Sequence, residues 1–398
     1  MTRPRPAAAA DLWSLDPDVT MLNHGSFGAC PRAVLAEQRR LQDRLESGPV
    51  RFVIRELAGL WDGAIEALGR FLGAPAEDLA FVPNATTGVN CVLRSLAFSA
   101  GDEILLLDHA YNAVSNAATF VADRCGARVT RVTLPVPISS PEEVTARVEA
   151  AVTQRTKLAV IDHITSPTGL VLPVEEIVAR LKARGIDTLV DGAHAPGHIP
   201  LDLTATGAAY YVGNCHKWLC TPKGSAFLYV APERQAAIRP LTISHGANRH
   251  MPGTSRFRLE FDWTGTIDPT PFLCVPFAID YLAAQVPGGW PEIQRRNRAL
   301  AIRGRELLLE ATGGQALAPE SMVGCLASVT IPDAKQAAVE GKVVAIDPLQ
   351  ERLWSAYGIE VPVMFWPAPP KRLLRIAVQL YTSEAQIHHL ADVLREIL

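Results

Sequence analysis

Tyr210 to Thr221 reads Y-Y-V-G-N-C-H-K-W-L-C-T. An apolar run, Ala208 to Val212, empties into a turn at Gly213, and the turn then carries Asn214, His216, Lys217 and Trp218 in close succession. Lysine is normally kept in water. One chemical reason to hold an amine beside a buried strand is to make it a Schiff-base nucleophile with a depressed pKa. By itself the stretch reads more simply as a surface lysine at a strand end, so the flanking chain has to decide.

On both sides of this stretch the pattern alternates. Strand-like runs at Leu79–Val82, Glu103–Leu107, Arg128–Thr133, Lys157–Ile161, Thr188–Val190, Tyr210–Val212 and Ala226–Val230 are mostly separated by helical periodicity, as at Asn116–Cys125, Glu142–Val152 and Val174–Arg184. Short apolar strands alternating with helices predict an α/β fold with a mainly parallel sheet of seven strands, covered on both faces. Such sheets take ligands at the carboxyl ends of their strands. Here those ends carry Asp108-His109, Asp162-His163, Asp191-Gly192 and Gly213-Asn214. From His245 to Pro271 the pattern breaks into a basic, irregular stretch that reads as a functional loop. Beyond it, helices near Phe277–Ala284, Pro291–Ala311 and Ser383–Leu398 with strands at Leu326–Ile331, Ile359–Val363 and Leu373–Ala377 predict a smaller α+β domain. The expected division is a large domain over 20–268 and a small one from 1–19 and 269–398.

Bulk properties narrow the partners. The chain has 398 residues and a net charge of −3, with no basic run interleaved with aromatics, so a nucleic-acid reader is not expected. Its seven cysteines are scattered, without C-x-x-C or H-E-x-x-H, so neither a disulfide framework nor a metal site is indicated. No stretch of about 18 apolar residues exists for a membrane span, and the alanine run at the start is short for a secretory signal. A cytoplasmic enzyme is expected.

Four features then converge. Asn84 caps a helix that begins near Thr86, and free N–H groups at a helix N-terminus bind phosphate. Asp191 ends a buried strand, where a carboxylate needs a cationic partner, and a protonated pyridine nitrogen would serve. One further strand separates Asp191 from Lys217, which places them at neighbouring strand ends. A lysine Schiff base with an aspartate on the ring nitrogen is the protein side of pyridoxal 5′-phosphate (PLP) chemistry. Arg375, within L-R-I and expected at the edge of a strand, supplies a fork for a substrate carboxylate.

Together, D-G-A-H-A-P-G (Asp191–Gly197), H-K-W (His216–Trp218), N-A-T-T (Asn84–Thr87) and L-R-I-A-V-Q-L-Y (Leu374–Tyr381) resemble the class V aminotransferase group of fold-type I PLP enzymes. L-N-H-G-S-F-G (Leu22–Gly28) and F-D-W-T-G-T-I-D-P (Phe261–Pro269) are similar to the isopenicillin N epimerase-like branch. The resemblance spans Leu22 to Leu398. It implies that Lys217 holds the cofactor and shuttles the Cα proton, that Asp191 pairs with the ring nitrogen, and that His194 lies near the phenolic oxygen. It further implies that Ala85, Thr86, Asn214 and His216 hold the phosphate, that Tyr111 or His109 stacks on the ring, and that Ser166 stands near the phenolic oxygen. Thr266 would reach the phosphate of a neighbouring subunit in a homodimer. Asn23 and His24 would contact substrate, and His24, or a tyrosine, would supply the second acid that epimerisation needs.

Cysteine desulfurases of this class carry a nucleophilic cysteine shortly before the substrate-binding arginine. Here no cysteine follows Cys325, so a persulfide-forming desulfurase is not expected. The readings left open are an epimerase or racemase, a carbon–sulfur lyase, an aminotransferase, and a non-catalytic binding protein on the same fold. Phe365, Trp366, Arg249, Arg256 and Arg258 either line a pocket for a side chain with a distal acid or are core aromatics and a solvated loop.

Overall fold

The computed structural model describes residues 4–338, 341 and 345–398. Its strands are β1 (Thr20–Met21), β2 (Leu79–Val82), β3 (Glu103–Leu107), β4 (Arg128–Val132), β5 (Thr156–Asp162), β6 (Asp187–Asp191), β7 (Tyr210–Asn214), β8 (Ala226–Val230), β9 (Leu326–Ile331), β10 (Ile359–Glu360), β11 (Val363–Phe365) and β12 (Arg372–Ala377). Seven of them form one sheet in the order β2-β8-β7-β6-β5-β3-β4. β8 runs antiparallel to both of its neighbours, and the remaining pairs are parallel. This is the α/β architecture that the alternation predicts.

Alternate residues of the inner strands enter two separate cores. Leu105, Leu107, Ala159, Ile161, Val190 and Tyr211 pack on one face, and Ile104, Leu106, Leu158, Val160, Leu189 and Val212 on the other. Period-two side chains in a sheet covered on both sides give this split. Each such side chain fully withdrawn from water contributes roughly 1.5–3 kcal/mol. Because the inner strands are parallel, β5, β6 and β7 end on one edge, at Asp162, Asp191 and Asn214, with Asp162 in register with Asp191.

The second sheet has the order β11-β12-β9 and is antiparallel. Arg375 is therefore on a central strand and not at a strand edge. Leu374 and Ile376 pack with the helices Gly289–Thr312 and Glu384–Ile397, while Leu373 and Ala377 join the core of the large sheet. Alternation puts Arg375 on the latter side, between the two sheets. The run expected as one strand at Ile359–Val363 is two, since Pro362 has no N–H to continue a ladder. β1 pairs in parallel with β10, and Asn23 bridges to Ala377, so the N-terminal segment hangs from the small sheet.

The segment 245–271 corrects an expectation. It holds a helix, Arg256–Phe261, whose Phe257 and Phe261 enter the core. Arg258 is buried and bridges Asp62 and Asp262, each at 3.0 Å, and Arg256 reaches Glu260 at 3.3 Å. These two arginines brace the fold and are not free for a substrate acid. Among the described residues no helix is long and apolar enough to cross a membrane, and no group of three or more His, Cys, Asp or Glu is placed to hold a metal.

Candidate active site

The turn after β7 brings Lys217 into a cleft of about 660 Å³, partly open to solvent, at the carboxyl edge of β5, β6 and β7. Desolvation draws the Lys217 pKa down to about 7, against the attraction of Asp191 and with the repulsion of Arg375. Near neutrality much of the amine is thus unprotonated, as a nucleophile must be. Its backbone is clamped by the N-terminal glycine loop. Gly28, at φ +69°, lies so close that a Cβ there would stand 2.2 Å from the His216 carbonyl oxygen and 2.9 Å from Lys217 Cα. Only glycine meets both demands.

Asp191 lies below the lysine, its Oδ1 accepting the Ala193 N–H at 3.0 Å. Burial raises its pKa, while that N–H and Lys217 pull it back. Asp162, its register partner, also lines the cleft. Burial first, and then the charge of Asp191, push the Asp162 carboxyl well above the usual range. Of two carboxylates at adjacent strand ends one keeps its proton. Burial and the nearby Asp191 both favour the protonated form of Asp162, while the Ala193 N–H and Lys217 favour the charged form of Asp191. His194 completes this floor, with Nε2 3.1 Å from Lys217 Nζ.

On the other side of the lysine is a helix N-terminus. Asn84 caps the helix Ala85–Ser95 by accepting the Thr87 N–H at 2.8 Å, and Asn214 Oδ1 takes the Ala85 N–H at 2.9 Å. The Ala85 N–H is therefore already satisfied. Thr86 lines the cleft at the second helical position, where a helix has no internal acceptor for its N–H. His216 lines the same wall and gives Nδ1–H to the Ser225 carbonyl at 3.0 Å, which leaves Nε2 as its other polar atom.

Arg375 is buried where the two sheets meet. Its guanidinium donates to the Ser166 carbonyl and, at 3.5 Å, to Ser26 Oγ, while Nε–H has no partner among the described residues. Burial lowers its pKa to about 10, so it stays charged. Ser166, Ser26 and Tyr111 line the cleft, Tyr111 with 48% of its surface exposed. His109 does not line it. His109 is wholly buried, bonded through Nδ1 to Thr168 Oγ1 at 2.7 Å and packed against Trp366 at 4.5 Å, so of the two only Tyr111 lines the cleft.

His24, Asn23 and Arg375 do not themselves line the cleft, and Arg375 meets its wall through Ser166 and Ser26. His24 has both ring nitrogens engaged, by Tyr381 Oη at 2.9 Å and the Lys217 carbonyl at 3.0 Å. Burial lowers its pKa to about 3, so it supports the lysine turn and is not an open acid. Asn23 spends its amide on Glu360 at 3.0 Å and Ser26 at 2.6 Å. Thr266, expected to serve a neighbouring subunit, lines a separate hollow beside Pro83 and Thr87. Conversely, Ser26 and Phe27 line the cleft without an assigned role, and so does Asp162, named only as a strand end. The signal for Asp162 was its place at a strand end, and for Ser26 its place in the glycine loop.

The family model for class V aminotransferases matches residues 54–341. The chain belongs to that family. PLP is the cofactor of that family. Isopenicillin N epimerase of Streptomyces clavuligerus is 36% identical over 96% of this chain and 95% of its own length. That of Amycolatopsis lactamdurans is 36% identical over 98% of both. A probable chloroplastic L-cysteine desulfhydrase of Arabidopsis thaliana is 30% identical over 96% of this chain and 84% of its own. Among solved structures, the cystine C–S lyase C-DES with its product cysteine persulfide superposes with a TM-score of 0.79 at 22% identity, covering 96% of this chain and 98% of that one. The Escherichia coli cysteine desulfurase CsdA gives 0.78 at 19% identity and 98% of both chains. These last two likenesses show the fold. The residues present fit PLP. A near-neutral amine, a buried carboxyl one strand away and a helix N-terminus beside Asn214 face one cleft.

Proposed function

We propose that this protein is a PLP-dependent epimerase that inverts the Cα of an α-amino acid, free or at the end of a larger molecule. The observation that carries the reading is the near-neutral Lys217 amine, set between Asp191 and His194 and clamped by the glycine loop. In this reading Lys217 and Asp191 hold the cofactor's two ends of reactivity, with Thr86, Asn214 and His216 on the phosphate. When bound, PLP withdraws electrons from Cα and makes its proton removable. Lys217 Nζ would take that proton from one face of Cα, or deliver one to that face in the reverse direction. Arg375 presents its unpartnered Nε–H to the substrate carboxylate and so orients Cα. Inversion needs an acid besides Lys217. With His24 occupied, Tyr111 is assigned that role as the cleft's half-exposed phenol.

The full-length likeness to two epimerases supports this choice. The same proton removal followed by loss of a sulfur substituent would make a carbon–sulfur lyase, and the likeness to plant desulfhydrases favours that as the second reading. The stretch before β12 holds no cysteine, which speaks against a persulfide carrier. The division into 20–268 against 1–19 and 269–398, a cytoplasmic location and a homodimer in which Thr266 serves the partner's phosphate seat belong to the same proposal. The test is incubation of the PLP-loaded protein with isopenicillin N, cysteine, cystine and a panel of amino acids in deuterated water. Deuterium at Cα with inverted configuration supports the epimerase. Pyruvate and ammonia without inversion would replace it by the lyase.

A further inference from the structure

Trp218 follows Lys217 directly and is wholly buried. Its indole N–H donates to Nδ1 of His194 at 3.4 Å, while Nε2 of the same imidazole stands 3.1 Å from Lys217 Nζ. An indole N–H is a donor only, so Nδ1 must be the acceptor. A neutral imidazole carries one hydrogen, and the bond made at one nitrogen decides that the other carries it. His194 is neutral here. Burial holds its pKa well below the usual value, helped by the nearby Lys217 and Arg375 and by His198 and His24. The indole is fixed in turn. The His198 ring packs on it at 4.3 Å, and His198 is itself anchored by accepting the Cys325 N–H at Nε2.

We propose that Trp218 is a positioning residue that sets the tautomer of His194, so that Nε2–H is a standing donor aimed at Lys217 Nζ and at the ring oxygen PLP carries beside its aldehyde carbon. The inference rests on the PLP reading of the cleft and deepens it. That oxygen would sit beside the aldehyde carbon that Lys217 Nζ engages, so His194 Nε2, 3.1 Å from Nζ, would be placed to reach it. A donor there favours the oxyanion and lowers the pH at which the Lys217-bound cofactor loses its proton. Without the indole, imidazole is free to place its hydrogen on Nδ1 and offer only a lone pair at Nε2. A glutamine amide has no such choice, because its hydrogens do not migrate.

The experiment is a double-mutant cycle read by absorbance of the loaded protein against pH. Trp218→Phe is expected to raise the midpoint of the cofactor's titration by about one pH unit. In a His194→Gln background, where no tautomer exists to set, adding Trp218→Phe should move it by less than about a quarter of that. An equal shift in both backgrounds, or none in the single variant, overturns the proposal. Nitrogen NMR of histidine-labelled wild-type protein without cofactor, with His194 assigned by its loss in His194→Gln, reads the tautomer directly. An Nε2–H signature is expected, and Nδ1–H overturns the proposal whatever the variants do. Wild-type protein that never acquires a cofactor band with added PLP would sink the functional reading instead, and the NMR result would still decide on Trp218.

Discussion

Withdrawing Lys217 from water costs the fold stability, and the cost is readable as a pH dependence. The amine titrates near 7 in the folded protein against 10.5 for a free lysine. Below pH 7 it is protonated in both states, and the folded state carries the whole penalty, at most about 5 kcal/mol at 1.36 kcal/mol per pH unit. The cleft side of the amine keeps some water, which brings this to several kcal/mol. Between 7 and 10.5 the unfolded chain binds a proton that the folded one does not, so stability rises with pH by up to about 1.4 kcal/mol per unit. Above 10.5 the amine is neutral in both states and the penalty is gone. Lys217→Met keeps the length and removes the titration. The cofactor-free variant is expected to be more stable than wild type at pH 7 by several kcal/mol, with the gap closing toward pH 10. Denaturant midpoints taken in parallel at each pH measure it. Losing the lysine also lets Asp191 protonate more readily, since Lys217 is one of the groups that lower its pKa. Stability curves that run parallel from pH 7 to 10 would refute the depressed amine.

Arg375→Lys keeps the charge but loses the fork, and should raise KM for the amino-acid substrate roughly 10- to 100-fold while leaving the cofactor spectrum unchanged. A lost spectrum would mean that the arginine serves the cofactor. Tyr111→Phe should retain deuterium exchange at Cα and lose inversion, as read by chiral chromatography of the recovered substrate. Full inversion in that variant removes Tyr111 as the second acid. Gly28→Ala forces a Cβ against the His216 carbonyl and Lys217 Cα. It should lower Tm by several degrees and weaken cofactor retention by at least about tenfold, and equilibrium dialysis against PLP reads the second effect.

The large sheet was legible because its strands are buried on both faces and therefore read as short continuous apolar runs. Leu79–Val82, Glu103–Leu107 and Ala226–Val230 match the observed bounds. The pairing of Asp191 with Lys217 was legible for a topological reason, since one strand lies between them and parallel neighbours end on one edge. What local pattern misses is long-range satisfaction. The segment 245–271 looks like a basic loop because one of the two carboxylates that hold Arg258, Asp62, is far away in sequence, although Asp262 lies within the segment. Arg375 looks like an edge residue because nothing near it announces that β9 and β11 flank it on both sides.

His24 shows most clearly why residue type and loop context do not assign a role. A histidine in a glycine loop near a catalytic lysine has the right chemistry for an acid. The glycines, however, let the loop descend until Gly28 touches the Lys217 backbone, and at that depth the imidazole is sealed between Tyr381 and the Lys217 carbonyl. The same burial that removes its proton helps withdraw the neighbouring amine from water. One act of packing therefore takes acid–base capacity from His24 and confers it on Lys217. The position of the loop, more than the identity of its histidine, is what the lysine requires.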